Sequence, residues 1–264
     1  MANFSAQDVA KLRQATGAGM MDAKRALDEN GGNFEEAQQW LREKGLASAA
    51  KRGERDNTEG AVALAQLDNR AALVELKCET DFVAKSADFV NVANDLAAAV
   101  AEKGEDATNE LKSKVDELNI TLKENIGVGR IVRFEAPAGN IIDGYLHIQN
   151  DRGKNGVLVE LKGGTKEIAH DIAVHIAFAR PQFARKEDVP AEVIEAERAT
   201  FETIARNEGK PDAALPKIVE GRIQGFYKET VLLEQPWVKD EKQTITQLLG
   251  DAELVRFSQI EIGQ

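Results

Sequence analysis

Cysteine is nearly absent from this sequence, since Cys78 is the only one among 264 residues. The chain therefore forms no internal disulfide and builds no metal site from cysteines. It also contains no run of about 18 apolar residues, so we expect no segment that spans a membrane. Residues 1–5 lack the basic and apolar regions of a secretory signal. Together these absences predict a cytoplasmic protein.

The sequence also lacks an excess of positive charge, because the formal net charge is -11. A protein that binds nucleic acid needs a cationic surface to displace counterions from phosphates. The densest basic stretch, residues 51–55, is short and lies beside acidic residues. We therefore expect no direct contact with nucleic acid.

The residue sets that enzymes need are missing as well. No Gly-x-x-x-x-Gly-Lys-Ser/Thr loop is present, and residues 17–19 follow a predicted helix, whereas a dinucleotide fingerprint follows a strand. His170 and His175 lie about 140° apart around one predicted helix, which does not suit a shared metal. No histidine neighbours Cys78, and the adjacent Glu79 opposes thiolate formation. We expect no enzymatic activity, no cofactor and no metal site, with structural or surface roles for both histidines and a packing role for the cysteine.

The N-terminal residues 1–46 have the pattern of three short helices. Asn33 caps the third helix, and Glu36 three residues later completes a capping box. Gly45 is predicted to end this helix. Residues 47–60 are polar and contain glycine, so we interpret them as a linker.

The rest of the chain contains an internal repeat. Leu-Val-Glu-Leu-Lys stands at residues 73–77 and again, letter for letter, at residues 158–162. Each copy follows a strand-like run and a turn, and each precedes a helix pattern. This order predicts an α+β fold with two related subdomains of antiparallel sheet and packed helices, at residues 61–139 and 140–264. Within the second, residues 189–227 predict an inserted helical hairpin.

A phenylalanine lies in the short connection that follows the first copy of the pentapeptide. Phe82 stands beside Asp81 within residues 78–85, where the chain is expected on the surface. Its ring either folds back into the core or is offered to another molecule. Because phenylalanine is among the most buried residue types, the residues alone favour the core.

Two longer motifs resemble the elongation factor Ts family. One is Leu-Lys-Cys-Glu-Thr-Asp-Phe-Val-Ala-Lys at residues 76–85, and the other is Leu-Arg-Gln-Ala-Thr-Gly-Ala-Gly-Met-Met-Asp-Ala-Lys-Arg-Ala-Leu at residues 12–27. Both stand in the family's order and at the expected places, which makes the match specific. The resemblance implies that the N-terminal three-helix bundle is of the ubiquitin-associated type.

The family acts on elongation factor Tu, the GTPase that delivers aminoacyl-tRNA to the ribosome. The resemblance thus implies a guanine nucleotide exchange factor that promotes GDP release during translation elongation. Phe82 would act as a wedge near the partner's magnesium and phosphate site and stabilise the nucleotide-free state. The alternative is a non-enzymatic adaptor or scaffold with an N-terminal ubiquitin-associated-like module, which would not require the loop of residues 80–83.

The resemblance also implies a set of partner-binding positions. These are Arg13, Met20, Met21, Lys24, Thr80, Asp81, Phe82, Val83, Ile126, Gly127, His147 and Val238. The matches at Ile126, Gly127 and Val238 are the weaker ones, because the motifs are short and an apolar isoleucine or valine is usually core. His147 is either an ordinary strand residue or part of the partner surface. Patterning alone places one of Met20 and Met21 in the core and the other in solvent.

Two further expectations concern the second half of the chain. The hairpin at residues 189–227 is either a solvated projection or a surface for self-association, since in some family members this region mediates self-pairing. Some members also continue into an extra C-terminal helix that reaches the partner. Because this sequence stops at Gln264, we expect that contact to be missing.

Overall fold

The computed structural model describes residues 4–264, without the side chains of residues 46, 47 and 50. The helices are α1 (Ala6–Thr16), α2 (Met20–Glu29), α3 (Phe34–Arg52), α4 (Asp81–Ala84), α5 (Ala87–Lys103), α6 (Lys112–Leu122), α7 (Lys166–Ala179), α8 (Ala191–Asn207), α9 (Leu215–Thr230) and α10 (Ile245–Leu249). The strands are β1 (Glu59–Gln66), β2 (Arg70–Cys78), β3 (Gly127–Glu135), β4 (Asn140–Gln149), β5 (Arg152–Lys162), β6 (Pro236–Trp237), β7 (Asp240–Thr244) and β8 (Glu253–Glu261). The predicted α+β fold, with three N-terminal helices followed by antiparallel sheets and packed helices, is confirmed.

The N-terminal bundle is made by α1, α2 and α3 around a small apolar core. Ser5 and Asp8 form a capping box at the start of α1, in which the backbone N–H of Ser5 donates to Asp8 Oδ2 at 2.8 Å. Asn33 Oδ1 accepts from the backbone N–H groups of Glu35 and Glu36, so the predicted cap is present. The reciprocal bond of the predicted capping box is not formed, because the backbone N–H of Asn33 donates to the backbone oxygen of Asn30 at 3.0 Å and not to Glu36. The buried residues are Val9, Leu12, Ala23, Ala26, Leu27, Ala37 and Leu41.

The prediction that Gly45 ends the third helix is wrong, because α3 continues to Arg52. The glycine serves the packing of α3 on α6, since a Cβ at this position would lie only 2.7 Å from Cγ2 of Ile120. Three of the next five residues are alanine, the best helix former, and the helix continues through them. The connection to β1 is therefore limited to residues 53–58, shorter than the predicted linker.

The rest of the fold is built on two three-stranded antiparallel sheets, in the orders β1-β2-β3 and β4-β5-β8, while β6 and β7 pair as a further two-stranded sheet. Val74 and Leu76 of β2 face α5 and α6, and Val159 and Leu161 of β5 face α7 and α10. The opposite faces of the two sheets pack on each other through a third apolar cluster. The residues of this cluster are Val62, Ala71, Leu73, Phe134, Ala136, Ile142, Leu158, Ile260 and Ile262.

Close approach of the sheets depends on glycine. A Cβ at Gly156 would lie 2.7 Å from Cδ2 of Leu73 and 2.8 Å from Cγ1 of Val62. A larger residue at this position would force the two sheets apart. The two subdomains thus share one apolar layer, and their division at residues 139 and 140 stays a prediction.

The five-residue repeat is the central strand of each sheet, buried on both faces. Its glutamate forms an equivalent ion pair in both copies, in which Arg130 Nε lies 3.0 Å from Glu75 and Arg256 Nε lies 2.7 Å from Glu160. Each arginine belongs to a strand that pairs with the central one. A buried carboxylate needs such a partner to offset its lost hydration. The two copies are therefore identical because each forms a strand buried on both faces with a glutamate that pairs with an arginine of the neighbouring strand.

The predicted helical hairpin is formed by α8 and α9. The helices bury only a few side chains along their length, among them Ala205, Val219 and Ile223. Ion pairs join the middle of α9 to α8 and to the residue that follows it, formed by Arg198 with Glu220 and by Arg222 with Glu208. The charged character of this hairpin agrees equally with a solvated projection and with a surface for self-association.

Candidate functional site

The loop of residues 79–85, here called the Phe82 loop, connects β2 to α5. Thr80 caps the single turn of α4, where its Oγ1 accepts from the backbone N–H of Val83 at 3.4 Å. The turn directs Ala84 into the core and leaves Val83 half-buried. Asp81 and Phe82 are left in solvent, and the ring of Phe82 is 73% exposed. The interpretation that places this ring in the core is wrong.

The exposed ring rests on weak local contacts. Nζ of Lys85 lies 4.3 Å from the centroid of the Phe82 ring and 3.4 Å from Oδ2 of Asp81. A cation–π contact at an exposed site contributes about 0.5–1 kcal/mol. An exposed ion pair contributes less than about 1 kcal/mol. The ring is therefore oriented by its neighbours and remains free to enter an apolar site elsewhere.

The base of the Phe82 loop is held much more firmly. Glu124 Oε2 accepts from the backbone N–H groups of Glu79 at 2.9 Å and Thr80 at 3.0 Å, and its Oε1 accepts from the Thr80 hydroxyl. The Glu79 carboxylate accepts in turn from the backbone N–H of Asn125 at 2.7 Å. The side chain of Asn125 then donates to the backbone oxygen of Arg55 at 2.6 Å. These bonds fix the loop to the segment that leaves α3.

Cys78 lies beneath the same loop and is fully buried. Its Sγ is 3.2 Å from the backbone oxygen of Thr80. Burial, together with the negative charge of Glu124, raises the pKa of its thiol to about 12. The thiol is protonated at neutral pH, and the predicted packing role is confirmed.

The N-terminal bundle presents four of the implied positions to solvent. Met20 is 59% exposed and Met21 is 75% exposed, while Arg13 and Lys24 are exposed as well. The prediction that one of the two methionines is core is wrong. Met20, Met21 and Lys24 lie in the first part of α2, ahead of or beside the residues that it buries, which are Ala23, Ala26 and Leu27. Adaptable methionines on such a surface suit contact with another protein.

The structure corrects one of the weaker matches. Ile126 is only 5% exposed, and its backbone N–H and C=O are both bonded by the side chain of buried Asn119, at 2.9 and 2.7 Å. Its side chain therefore belongs to the core and does not offer a surface to a partner. Gly127 next to it is half-buried at the start of β3, opposite Lys77.

The second sheet carries His147 on β4. The ring is exposed, and Nδ1 lies 3.3 Å from the hydroxyl of Tyr145. An exposed ring with one neighbour agrees with both hypotheses for this residue. His170 is also exposed and lies with Nδ1 2.9 Å from Asp143 Oδ2, which is a surface role.

Val238 is half-buried in the turn between β6 and β7, and a buried histidine fixes its backbone. The N–H of Val238 donates to His175 Nδ1 at 3.3 Å, while Nε2 of this ring lies 2.9 Å from Gln235 Oε1. The ring is therefore neutral with its proton on Nε2, and burial lowers the pKa of His175. The predicted structural role of this histidine is confirmed.

Among residues 4–264, no three His, Cys, Asp or Glu side chains lie together in a way that could hold a metal ion. Nor does this part of the chain contain a helix long and apolar enough to cross a membrane.

Known proteins match this chain along its whole length. The family model described as Elongation factor TS matches residues 79–264. Proteins named Elongation factor Ts are similar to this chain over 280 residues, with 100% of both chains covered. Those from Renibacterium salmoninarum, Streptomyces coelicolor and Thermobifida fusca are 44%, 45% and 43% identical to this chain. The chain belongs to the elongation factor Ts family. The resemblance inferred from residues 12–27 and 76–85 is therefore confirmed.

Sequence reasoning missed two features of this family member. One is Phe178 on α7, which is 74% exposed although phenylalanine is usually buried. A helical projection of α7 gives a signal for it, because residue 178 falls opposite the side formed by residues 169, 172, 173 and 176. The other is Glu124, whose role depends on a contact with residues 79 and 80 that its local sequence does not predict.

Proposed function

We propose that this chain is a guanine nucleotide exchange factor that promotes release of GDP from elongation factor Tu during translation elongation. The observation that carries the proposal is Phe82, an exposed ring at the tip of a loop whose base is fixed by Glu124. It stands within the family motif at residues 76–85. We place the protein in the cytoplasm, where translation takes place.

The proposed mechanism is differential binding without covalent chemistry. The chain stabilises the nucleotide-free form of its partner more than the nucleotide-bound form. By linkage, the factor by which it weakens GDP binding equals the factor by which GDP weakens its own binding. Phe82 enters an apolar gap near the partner's magnesium and phosphate site, and Asp81 helps to place it. Because GDP is held there by Mg²⁺ and by backbone groups, small displacements remove strong electrostatic contacts.

The magnitude for a single ring shows that Phe82 does not act alone. Full burial of an exposed phenylalanine contributes about 1.5–3 kcal/mol. Loss of the contact with Lys85 offsets about 0.5–1 kcal/mol of this. The remainder corresponds to roughly a tenfold effect at about 1.4 kcal/mol per factor of ten. Any larger acceleration of GDP release must draw on a wider interface.

That wider interface is proposed to have two further parts. One is the exposed face of the bundle with Arg13, Met20, Met21 and Lys24. The other is the second sheet and its neighbourhood, with His147 and Val238. These parts bind the partner away from the nucleotide and hold Phe82 in position. Thr80 and Val83 shape the Phe82 loop, and Gly127 lies close to its base.

The proposal is tested with purified elongation factor Tu loaded with a fluorescent GDP analogue. The nucleotide is chased with excess unlabelled GTP, and the loss of fluorescence is followed with and without this chain. We expect release to accelerate with the concentration of the chain and to reach a plateau. A release rate that is independent of the chain would contradict the proposal.

An adaptor function is the second candidate, and the exposed Met20 and Met21 on the bundle favour it. An adaptor would use that face equally well, but it would not need an exposed Phe82 on a loop whose base is fixed. Binding to elongation factor Tu that leaves GDP release unchanged would support the adaptor. Self-association through residues 189–227 also stays a prediction, and sedimentation of the free chain tests it.

A further inference from the structure

The last turn of α7 presents an aromatic ring that is largely exposed to solvent. Phe178 is 74% exposed, as much as Phe82 at 73%. The helix buries Ala169, Ile172 and Ile176 against the second sheet. At 3.6 residues per turn, position 178 points away from this buried side. An exposed ring on a rigid helix adds little to the stability of its own chain.

One flank of this turn lies beside His147. Asn155 on β5 is the cross-strand neighbour of His147 on β4. The side chain of Asn155 donates to the backbone oxygen of Ala177 at 2.9 Å, one residue before Phe178. His147 and the end of α7 are therefore tied to the same residue.

The other flank of α7 lies beside Val238. The backbone N–H of Val238 donates to His175 Nδ1 at 3.3 Å, three residues before Phe178. One turn earlier, Lys239 forms an ion pair with Asp171. The turn between β6 and β7 thus runs along this side of the helix.

We propose that Phe178 binds elongation factor Tu in the same interface as His147 and Val238. This inference rests on the proposed function, in which those two positions contact the partner. Since the end of α7 lies between them, a partner surface that reaches both also covers the ring. The partner must offer an apolar depression there, away from its nucleotide, to receive an aromatic side chain.

The surroundings of Phe178 have the anatomy of a binding surface. Val174 one turn earlier is half-buried and adds apolar area, as does half-buried Val238, whose backbone is bonded to His175. Ion pairs lie at the border, formed by Asp171 with Lys239 and by Arg180 with Glu261, the latter at 2.6 Å. An apolar centre with a charged rim is typical of protein interfaces, and aromatic residues often dominate their affinity.

The test compares Phe178→Ala with the wild-type chain in the GDP-release assay, over a range of chain concentrations. We expect the concentration for half-maximal acceleration to rise at least tenfold, while the plateau rate changes less than about twofold. Phe178 is remote from the Phe82 loop in the sequence and lies on α7, which packs on the second sheet, so it contributes affinity and no wedge. The matched control is Leu67→Ala, which removes an exposed apolar side chain from the turn between β1 and β2 and should leave both values unchanged.

Several outcomes would overturn the inference. An unchanged half-maximal concentration for Phe178→Ala, with an active wild-type chain, would remove this residue from the interface and leave the proposed function intact. A wild-type chain that does not accelerate release would overturn both. If Phe178→Ala alters only sedimentation of the free chain, a second copy covers this face and the assignment to the GTPase is wrong.

A second measurement does not depend on a variant. Amide hydrogen exchange at residues 175–180 of the wild-type chain is compared with and without nucleotide-free elongation factor Tu. We expect exchange to slow in the complex both in this turn and in the Phe82 loop. Protection of the Phe82 loop without any at residues 175–180 would contradict the proposal.

Discussion

Replacement of Glu124 by alanine tests how the Phe82 loop is held. The substitution removes the carboxylate that accepts from the backbone N–H groups of Glu79 and Thr80 and from the Thr80 hydroxyl. A hydrogen bond to a charged group contributes about 1.5–3 kcal/mol. Since Glu124 is half-buried, water replaces part of what is lost. We expect the native loop to lose about 3 kcal/mol relative to its opened form.

Amide hydrogen exchange measures this loss directly. At about 1.4 kcal/mol per factor of ten, the amides of Glu79 and Thr80 should exchange about a hundredfold faster. Amides in the middle of β2, such as that of Leu73, should keep their protection because the opening is local. Since an opened loop presents Phe82 less often in the required position, the plateau rate of GDP release should fall. The half-maximal concentration should change less.

Two further variants make the experiment specific. Glu124→Gln keeps one oxygen that can accept from both backbone N–H groups, while its amide donates to the Thr80 hydroxyl, so its effect should be smaller. Glu105→Ala removes an exposed carboxylate from the segment that follows α5, and it should not change the exchange of the Glu79 and Thr80 amides. Normal protection of Glu79 and Thr80 in Glu124→Ala would refute the argument that this carboxylate holds the loop.

Two other predictions concern stability. Gly45→Val should push α3 away from α6, because its Cβ would lie 2.7 Å from Cγ2 of Ile120. Overpacking of this kind costs about 1–3 kcal/mol, and a free energy of unfolding equal to that of the wild-type chain in denaturant would contradict the packing role of the glycine. Burial lowers the pKa of His175, so the unfolded state binds more protons below about pH 6.5 and stability falls as the pH drops through that range. His175→Gln should flatten this fall, and equal losses in both chains between about pH 7.5 and about pH 5 would count against it.

The parts of the fold that were predictable from the sequence are those that local patterns dictate. The repeated Leu-Val-Glu-Leu-Lys marks the two central strands because a strand buried on both faces tolerates few residue types. Ser5 and Asn33 mark helix starts because their side chains bond the first free N–H groups. These signals act within a few residues, so one sequence suffices to find them.

The errors fall where distant residues decide. Gly45 has the identity of a helix terminator, but its role is set by Ile120, 75 positions away in the chain. Ile126 matched a partner-binding position, yet Asn119 and the core of the first subdomain enclose it.

The site follows the same division. The motif at residues 76–85 identified the Phe82 loop, while residue type alone gave the wrong environment for its ring. The exposure of Phe82 depends on Thr80 starting a helical turn and on Ala84 filling the inward position. Glu124, which fixes the base, belongs to a segment some forty residues later in the chain. Contacts of this kind are properties of the folded chain.

The measurement that tests the central claim most directly is stopped-flow release of fluorescent GDP from elongation factor Tu at saturating concentrations of wild-type chain and of Phe82→Ala. Because the ring is exposed in the free chain, the variant should fold normally and still bind through its other contacts. We expect it to release GDP about tenfold more slowly at the plateau, from a net contribution of about 1–2 kcal/mol. A plateau rate equal to that of the wild-type chain would contradict the claim that this ring drives exchange.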